Sequence, residues 1–252
     1  SILGTNTVIA IILAVSSTFL CIQYDLKIDF PLTVIGVAVV FPIVFSIGGA
    51  YTRRENALSQ YGIMKSMGRS IYFASRDWLR DDDDRARENI ENCRTQISNV
   101  FLLCGKLFQS DEAHTFSKDE ENIYVEFSKI SRTIEDLRDR GLSGSEVSRI
   151  NQYLNKFMMA FEALKHIYQY RTPRTLRLYS KFFIYAVMVV LGPYFALLAQ
   201  EQNIWMDYLQ PVLFSMVFTG LDNIQEHLEN PFDQIGEDDI KFRGEKFKET
   251  LI

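Results

Sequence analysis

The chain has 252 residues, 47% of them hydrophobic and 23% charged, with a net charge of −5 and three cysteines. An acidic chain without a concentrated basic surface cannot grip a phosphate backbone, which excludes nucleic acid as its partner. The odd cysteine count (Cys21, Cys93, Cys104), with no CxxC and no nearby histidine pair, excludes a disulfide framework and a zinc site and leaves buried, reduced thiols as the expectation.

Apolar residues gather at the two ends and charged ones crowd the middle. Residues 2–22 carry no charge and include VIAIILAVSSTFLCI from Val8 to Ile22, enough for the roughly 20 residues that a transmembrane helix needs. A cleaved signal peptide would start with basic residues, and Ser1 to Thr7 contains none. After the short polar loop QYDLKIDF comes a second uncharged run, residues 31–52, ending at Arg53 and Arg54. So short a loop makes the two spans antiparallel neighbours.

In the second run Val37, Phe41 and Phe45 fall at i, i+4 and i+8, which stacks three bulky groups on one helix face. Read alone, such a stripe fits lipid contact or helix packing in any membrane helix. Gly36, Ala38 and Ser46, followed by Gly48, Gly49 and Ala50, form a small-residue face that permits close helix approach.

The middle of the chain predicts solvent-facing helices. Ile90, Cys93, Ile97, Val100, Cys104 and Leu107 mark one face of residues 85–109. Asp81 to Asp84 precede that helix, where its positive N-terminal end favours acids as a solvated cap. Residues 110–121 read as a polar loop, and Ile123, Phe127, Ile130, Ile134 and Leu137 as a shorter helix over 123–138. Gly141 to Gly144 break the chain. Ser143 to Glu146 then form a capping box ahead of the stripe Val147, Ile150, Leu154, Phe157, Phe161, Leu164 and Tyr168. The two long stripes are expected to pack together.

The two-span design recurs near the C-terminus, over residues 180–200 and 204–221, with Pro193 and Pro211 inside the runs. Arg53, Arg54, Arg171, Arg174, Arg177 and Lys181 flank the spans on one side, while the hairpin loops carry Asp25, Asp29, Glu201 and Asp207 against Lys27 alone. The positive-inside rule places both termini and the middle on the cytoplasmic or stromal side. The expected fold is all-α: a multi-pass integral membrane protein with hairpins at 1–52 and 178–222, a cytoplasmic helical domain at 53–177, and a C-terminal segment at 223–252. No catalytic motif is present, and His114, His166 and His227 lack ligand spacing, so an enzyme is not expected.

Three stretches resemble the bestrophin family. Ala50-Tyr51-Thr52-Arg53-Arg54-Glu55-Asn56-Ala57 is similar to the exit of its second span. HLENPFDQIGEDDI, from His227 to Ile240, resembles its Asn/Asp-Pro-Phe segment, and Arg171-Thr172-Pro173 its Thr-Pro turn. Together they cover nearly the whole chain, closer to bacterial and plant members than to vertebrate ones. The resemblance implies a homopentamer embedded in lipid, an anion channel in which the second span of every subunit lines a narrow neck. Val37, Phe41 and Phe45 would be the neck positions and chloride the permeant ion. It also implies a cytoplasmic aperture near Arg174, where relatives carry an aliphatic residue; the other reading of Arg174 is a flanking charge. Asn230, Asp233, Glu237, Asp238 and Asp239 match the segment that binds calcium in vertebrate members, but here it is interrupted by Gln234, Ile235 and Gly236. No cofactor is required on this reading. The structural alternative is that Asn230 and Pro231 end the fourth helix and hold the C-terminal segment against a neighbouring subunit. Cation conduction and a non-conducting, membrane-anchored scaffold remain as rivals.

Overall fold

The computed structural model describes residues 4–29, 31–79, 84–109, 113–170, 174–199, 204–232 and 239–251. Among them every regular element is helical: α1 (Thr5–Gln23), α2 (Leu32–Asp77), α3 (Asp84–Leu107), α4 (Ala113–Asp139), α5 (Gly144–Gln169), α6 (Arg174–Val190), α7 (Gly192–Leu198), α8 (Ile204–Glu229) and α9 (Gly244–Glu249). They gather into two units, one from residues 1–54 and 171–230, the other from 55–170 and 231–252.

In the first unit α1 is the organising helix. Thr7, Ala10, Ala14, Thr18 and Cys21 recur every three or four residues and are all buried, so a stripe of small side chains meets α6, α7 and α8. Small residues let backbones approach closely, the main source of packing energy between apolar helices in lipid. The approach is tightest at Gly192, where a Cβ would fall 2.2 Å from Ser17 Oγ. Ile43, Ile184, Val187, Met188, Leu191, Phe195 and Phe218 complete the core of this unit. α1 ends in a Schellman turn: Leu26 N–H donates to Cys21 O and Asp25 N–H to Ile22 O. Asp25 takes the left-handed position (φ +52°) usually held by glycine.

The run read as one span over 180–200 is two helices. α6 stops at Val190 and α7 starts at Gly192, with Pro193 in its first turn. Proline supplies no N–H to the carbonyl four residues back, Val189, and its ring crowds that carbonyl. Among the described residues, Thr5–Gln23 and Lys181–Leu198 are the two stretches long and apolar enough to cross a membrane.

α2 runs unbroken for 46 residues, about 70 Å at 1.5 Å per residue, straight through position 52. Charge begins there, but Thr52-Arg53-Arg54-Glu55 contains no proline or glycine, so the environment changes without ending the helix.

In the second unit the expected stripes are buried. Cys93, Ile97, Val100, Cys104 and Leu107 of α3, Ile123 to Leu137 of α4, and Val147 to Leu164 of α5 share one core with Met64 and Ile71 of α2. α3 and α5 touch through the Phe101 and Phe157 rings, but the main neighbour of each is α4. α4 also starts at Ala113, well before the expected 123. Residues 117–122 are exposed or half-buried, so polarity there reports exposure and not a loop. Ser143 caps α5 as expected, its hydroxyl accepting from Glu146 N–H at 3.3 Å, and Gly141 makes the preceding turn at φ +99°.

Ile240, Phe242, Phe247 and Leu251 of the C-terminal segment join this same core. Gly105 and Gly244 make that docking close: a Cβ at Gly105 would sit 3.0 Å from Phe242 O, and one at Gly244 2.5 Å from Ser98 O. α8 does end at Glu229, before Asn230 and Pro231. The described part of the segment beyond it packs on the core of its own chain. Cys21, Cys93 and Cys104 are free and buried.

Candidate pore-lining face

Among the described residues, α2 is anchored in the first unit along one side. Ile43 is 2% exposed, Ala50 is buried, and Ile47 packs against the same core. Phe41 and Phe45 lie two positions to either side of Ile43, and at about 100° per residue that turns them to the opposite face. There Val37, Phe41 and Phe45 are 60%, 60% and 63% exposed. The two phenylalanine rings meet edge to face, centroids 4.4 Å apart at 62°, a favourable arrangement that holds them as a unit.

The open surface is wider than the sequence stripe. Val40 and Val44 are also exposed; each stands three residues after a named position, the spacing that should have included them. Beside them, no described atom lies within 4 Å of a Cβ built at Gly36, Gly48 or Gly49. Among the described residues these three glycines of α2 therefore make no close approach, whereas the small residues of α1 do. No residue from Pro31 to Thr52 is Asp, Glu, Lys, Arg or His. The face offers only methyl groups and aromatic edges, so it can exclude water or pack against another apolar surface, and it has no group for acid–base or metal chemistry.

The remaining expected site residues are placed as follows. Arg174 opens α6, but its side chain and the Arg171–Pro173 turn lie outside the described residues. So do Asp233, Glu237 and Asp238. Asn230 and Asp239 are half-buried. Among the described residues no three His, Cys, Asp or Glu side chains stand close enough to hold a metal ion.

The family model for bacterial and fungal bestrophin proteins matches residues 2–243. The chain belongs to the bestrophin family. A bacterial bestrophin homologue from Klebsiella pneumoniae, solved with zinc phasing, has a TM-score of 0.76 at 18% identity, over 98% of this chain and 96% of that one. A tryptophan-to-alanine variant of a bestrophin homologue from the same organism reaches 0.78 at 18%, over 99% and 97%. A membrane protein carrying a proline-to-alanine change reaches 0.78 at 18%, over 98% of each chain. At these identities the likeness is one of fold. No curated protein matches. The bestrophin motifs quoted from Ala50 to Ala57, Arg171 to Pro173 and His227 to Ile240 all fall inside the matched range.

Proposed function

We propose that this bestrophin chain is one subunit of a homopentameric, passive anion channel whose neck is lined by Val37, Phe41 and Phe45 of α2. The observation that carries this reading is the uncovered apolar face of α2, opposite the Ile43 side that anchors the helix. Five copies around an axis would bring these residues into stacked rings. Such a constriction passes ions only when wetted, and aromatic edges carry the positive side of the ring quadrupole toward an anion. Chloride-class ions then cross without a charged filter, and flux follows the electrochemical gradient.

On this reading residues 31–52 and 204–221 are the second and fourth spans. The protein passes the membrane four times, and both termini stay on the cytoplasmic or stromal side. Arg174 would ring the cytoplasmic aperture and attract anions. Conduction needs no cofactor; Asn230, Asp233, Glu237, Asp238 and Asp239 form a structural segment or a calcium-responsive one.

The test is chloride efflux from liposomes loaded with the purified protein, beside its mass in detergent. The reading expects efflux on demand of the gradient and an assembly near five times 29.2 kDa. Efflux of potassium in place of chloride would reverse the selectivity, and a monomer or dimer without flux would favour the scaffold.

A further inference from the structure

An acidic chain would be expected to intersperse its cations with carboxylates, yet one group of cations stands together without any. A cavity of about 360 Å³ in the second unit is lined by Tyr61, Lys65, Arg69, Lys241, Arg243, Lys246, Phe247 and Thr250. Five of the eight are cationic and none is acidic. None of the five forms an ion pair with a described carboxylate, whereas Lys129, Lys165 and Lys248 elsewhere in the same unit are all paired. Lys65, Arg69 and Lys241 are half-buried and Arg243 and Lys246 exposed, so the group forms a solvent-accessible positive patch that an anion can reach.

The arrangement is held in place. α2 supplies Lys65 and Arg69 one helical turn apart. Tyr61 Oη donates to the Lys241 carbonyl at 3.0 Å, which fixes the strap carrying Lys241 and Arg243 against α2. Arg69 Nη2 reaches Thr250 Oγ1 at 3.5 Å. Lys65 lies 4.7 Å over the Tyr61 ring and Arg69 5.4 Å over that of Phe247, contacts that partly offset the charge and orient both heads. Since cations already cover these rings, and Phe247 is buried, no free aromatic face remains to stack a nucleobase. The recognition chemistry is charge alone, and arginine and lysine together suit phosphate oxygens.

We infer that this cavity is a binding site for a multiply charged phosphate anion, either a free one or a phospholipid headgroup. The inference does not depend on ion conduction, because its readout is binding. The experiment uses the full-length, assembled protein in detergent, titrated calorimetrically with pyrophosphate at fixed ionic strength, with sulfate as control. A parallel thermal-unfolding series adds phosphatidylinositol phosphate in mixed micelles. Lys65→Gln with Arg69→Gln is the test variant. Lys156→Gln on α5, an exposed cation that does not line the cavity, controls for net charge.

The expected result is saturable binding of pyrophosphate, or stabilisation by the lipid, at one site per chain. Affinity should fall roughly tenfold or more in the double variant and stay unchanged in Lys156→Gln. Pyrophosphate binding identifies a free anion; lipid stabilisation without it identifies the headgroup. Absence of both in the assembled protein overturns the inference. Equal loss in both variants also overturns it, by reducing the effect to net charge.

Discussion

Ser17 Oγ donates a 2.8 Å hydrogen bond to the carbonyl of Val189, the group that Pro193 leaves without its helical partner four residues on. A carbonyl with no donor is unfavourable in lipid, where no water can replace the missing N–H. α1 thus supplies from outside what the broken helix lacks, at the same point where Gly192 lets the two backbones touch.

Ser17→Ala should therefore lower stability by up to about 1 kcal/mol, in line with other interhelical hydrogen bonds in membranes. Gly192→Ala should cost about 1–3 kcal/mol by overpacking. Because the new methyl would meet Ser17 Oγ first, the double variant should lose less than the sum of the singles. Thermal unfolding of the three variants in detergent measures this; strict additivity would separate the two effects.

The C-terminal segment rests on α3 through a second close approach. Ser98 Oγ donates to Gly244 O at 2.8 Å, Arg94 donates to Lys248 O, and Lys248 pairs with Glu91 at 2.7 Å. Gly244→Ala would press a methyl on backbone atoms at Ser98 and Leu102. Hydrogen exchange should show faster exchange across 239–251 and a global loss of about 1–3 kcal/mol, with the amides of α5 little changed.

Cys93 and Cys104 should be inert. Burial pushes the Cys93 thiol up to about 11, only partly countered by the Ser75 hydroxyl, and pushes Cys104 well above its ordinary value. At pH 8 about one Cys93 in a thousand would be thiolate, the reactive form. Maleimide labelling of both should proceed only at the rate of unfolding and accelerate in denaturant.

Lys165 joins α5 to α4 through Glu120 at 2.8 Å and the Tyr124 hydroxyl at 2.8 Å, and pairs with Glu162 at 2.6 Å. Burial works against its ammonium, but these bonds outweigh it and hold the pKa above the ordinary lysine value. Burial likewise raises Glu162, yet Lys165 and Tyr124 bring it down on balance. A lowered carboxylate contributes stability above its unfolded pKa and loses it as pH falls through the folded one; a raised lysine contributes below its unfolded pKa and loses it as pH climbs through the folded one. Lys165→Met should thus destabilise by about 1–2 kcal/mol at neutral pH. The gap should narrow as pH falls through the lowered pKa of Glu162. Melting curves at pH 7 and pH 3.5 give the comparison.

Much of this was legible wherever periodicity met solvent. The stripes from Cys93 to Leu107 and from Val147 to Leu164 are buried, with Ile90 half-buried at the start of the first, because one apolar face on a polar helix admits a single arrangement. Boundaries were harder. Charge at Arg53 looks like an ending, but a helix ends on backbone chemistry, and nothing there provides it. Pro193 was visible, and whether it would be absorbed or would break the helix depended on Ser17, 176 residues earlier in the chain. The cationic cavity escaped notice because its lysines and arginines come from two distant segments, each unremarkable alone. The stripe of Val37, Phe41 and Phe45 was readable as a face, while its occupant in the assembly is a matter of symmetry that one chain does not encode.

The most direct test of the neck is planar-bilayer recording of the parent protein, Phe41→Ala and Phe45→Ala across a chloride gradient. The account predicts reversal near the chloride potential in all three, with conductance or open probability raised severalfold in the variants as the apolar rings widen and wet. Currents indistinguishable among the three, or reversal at the cation potential, would contradict it.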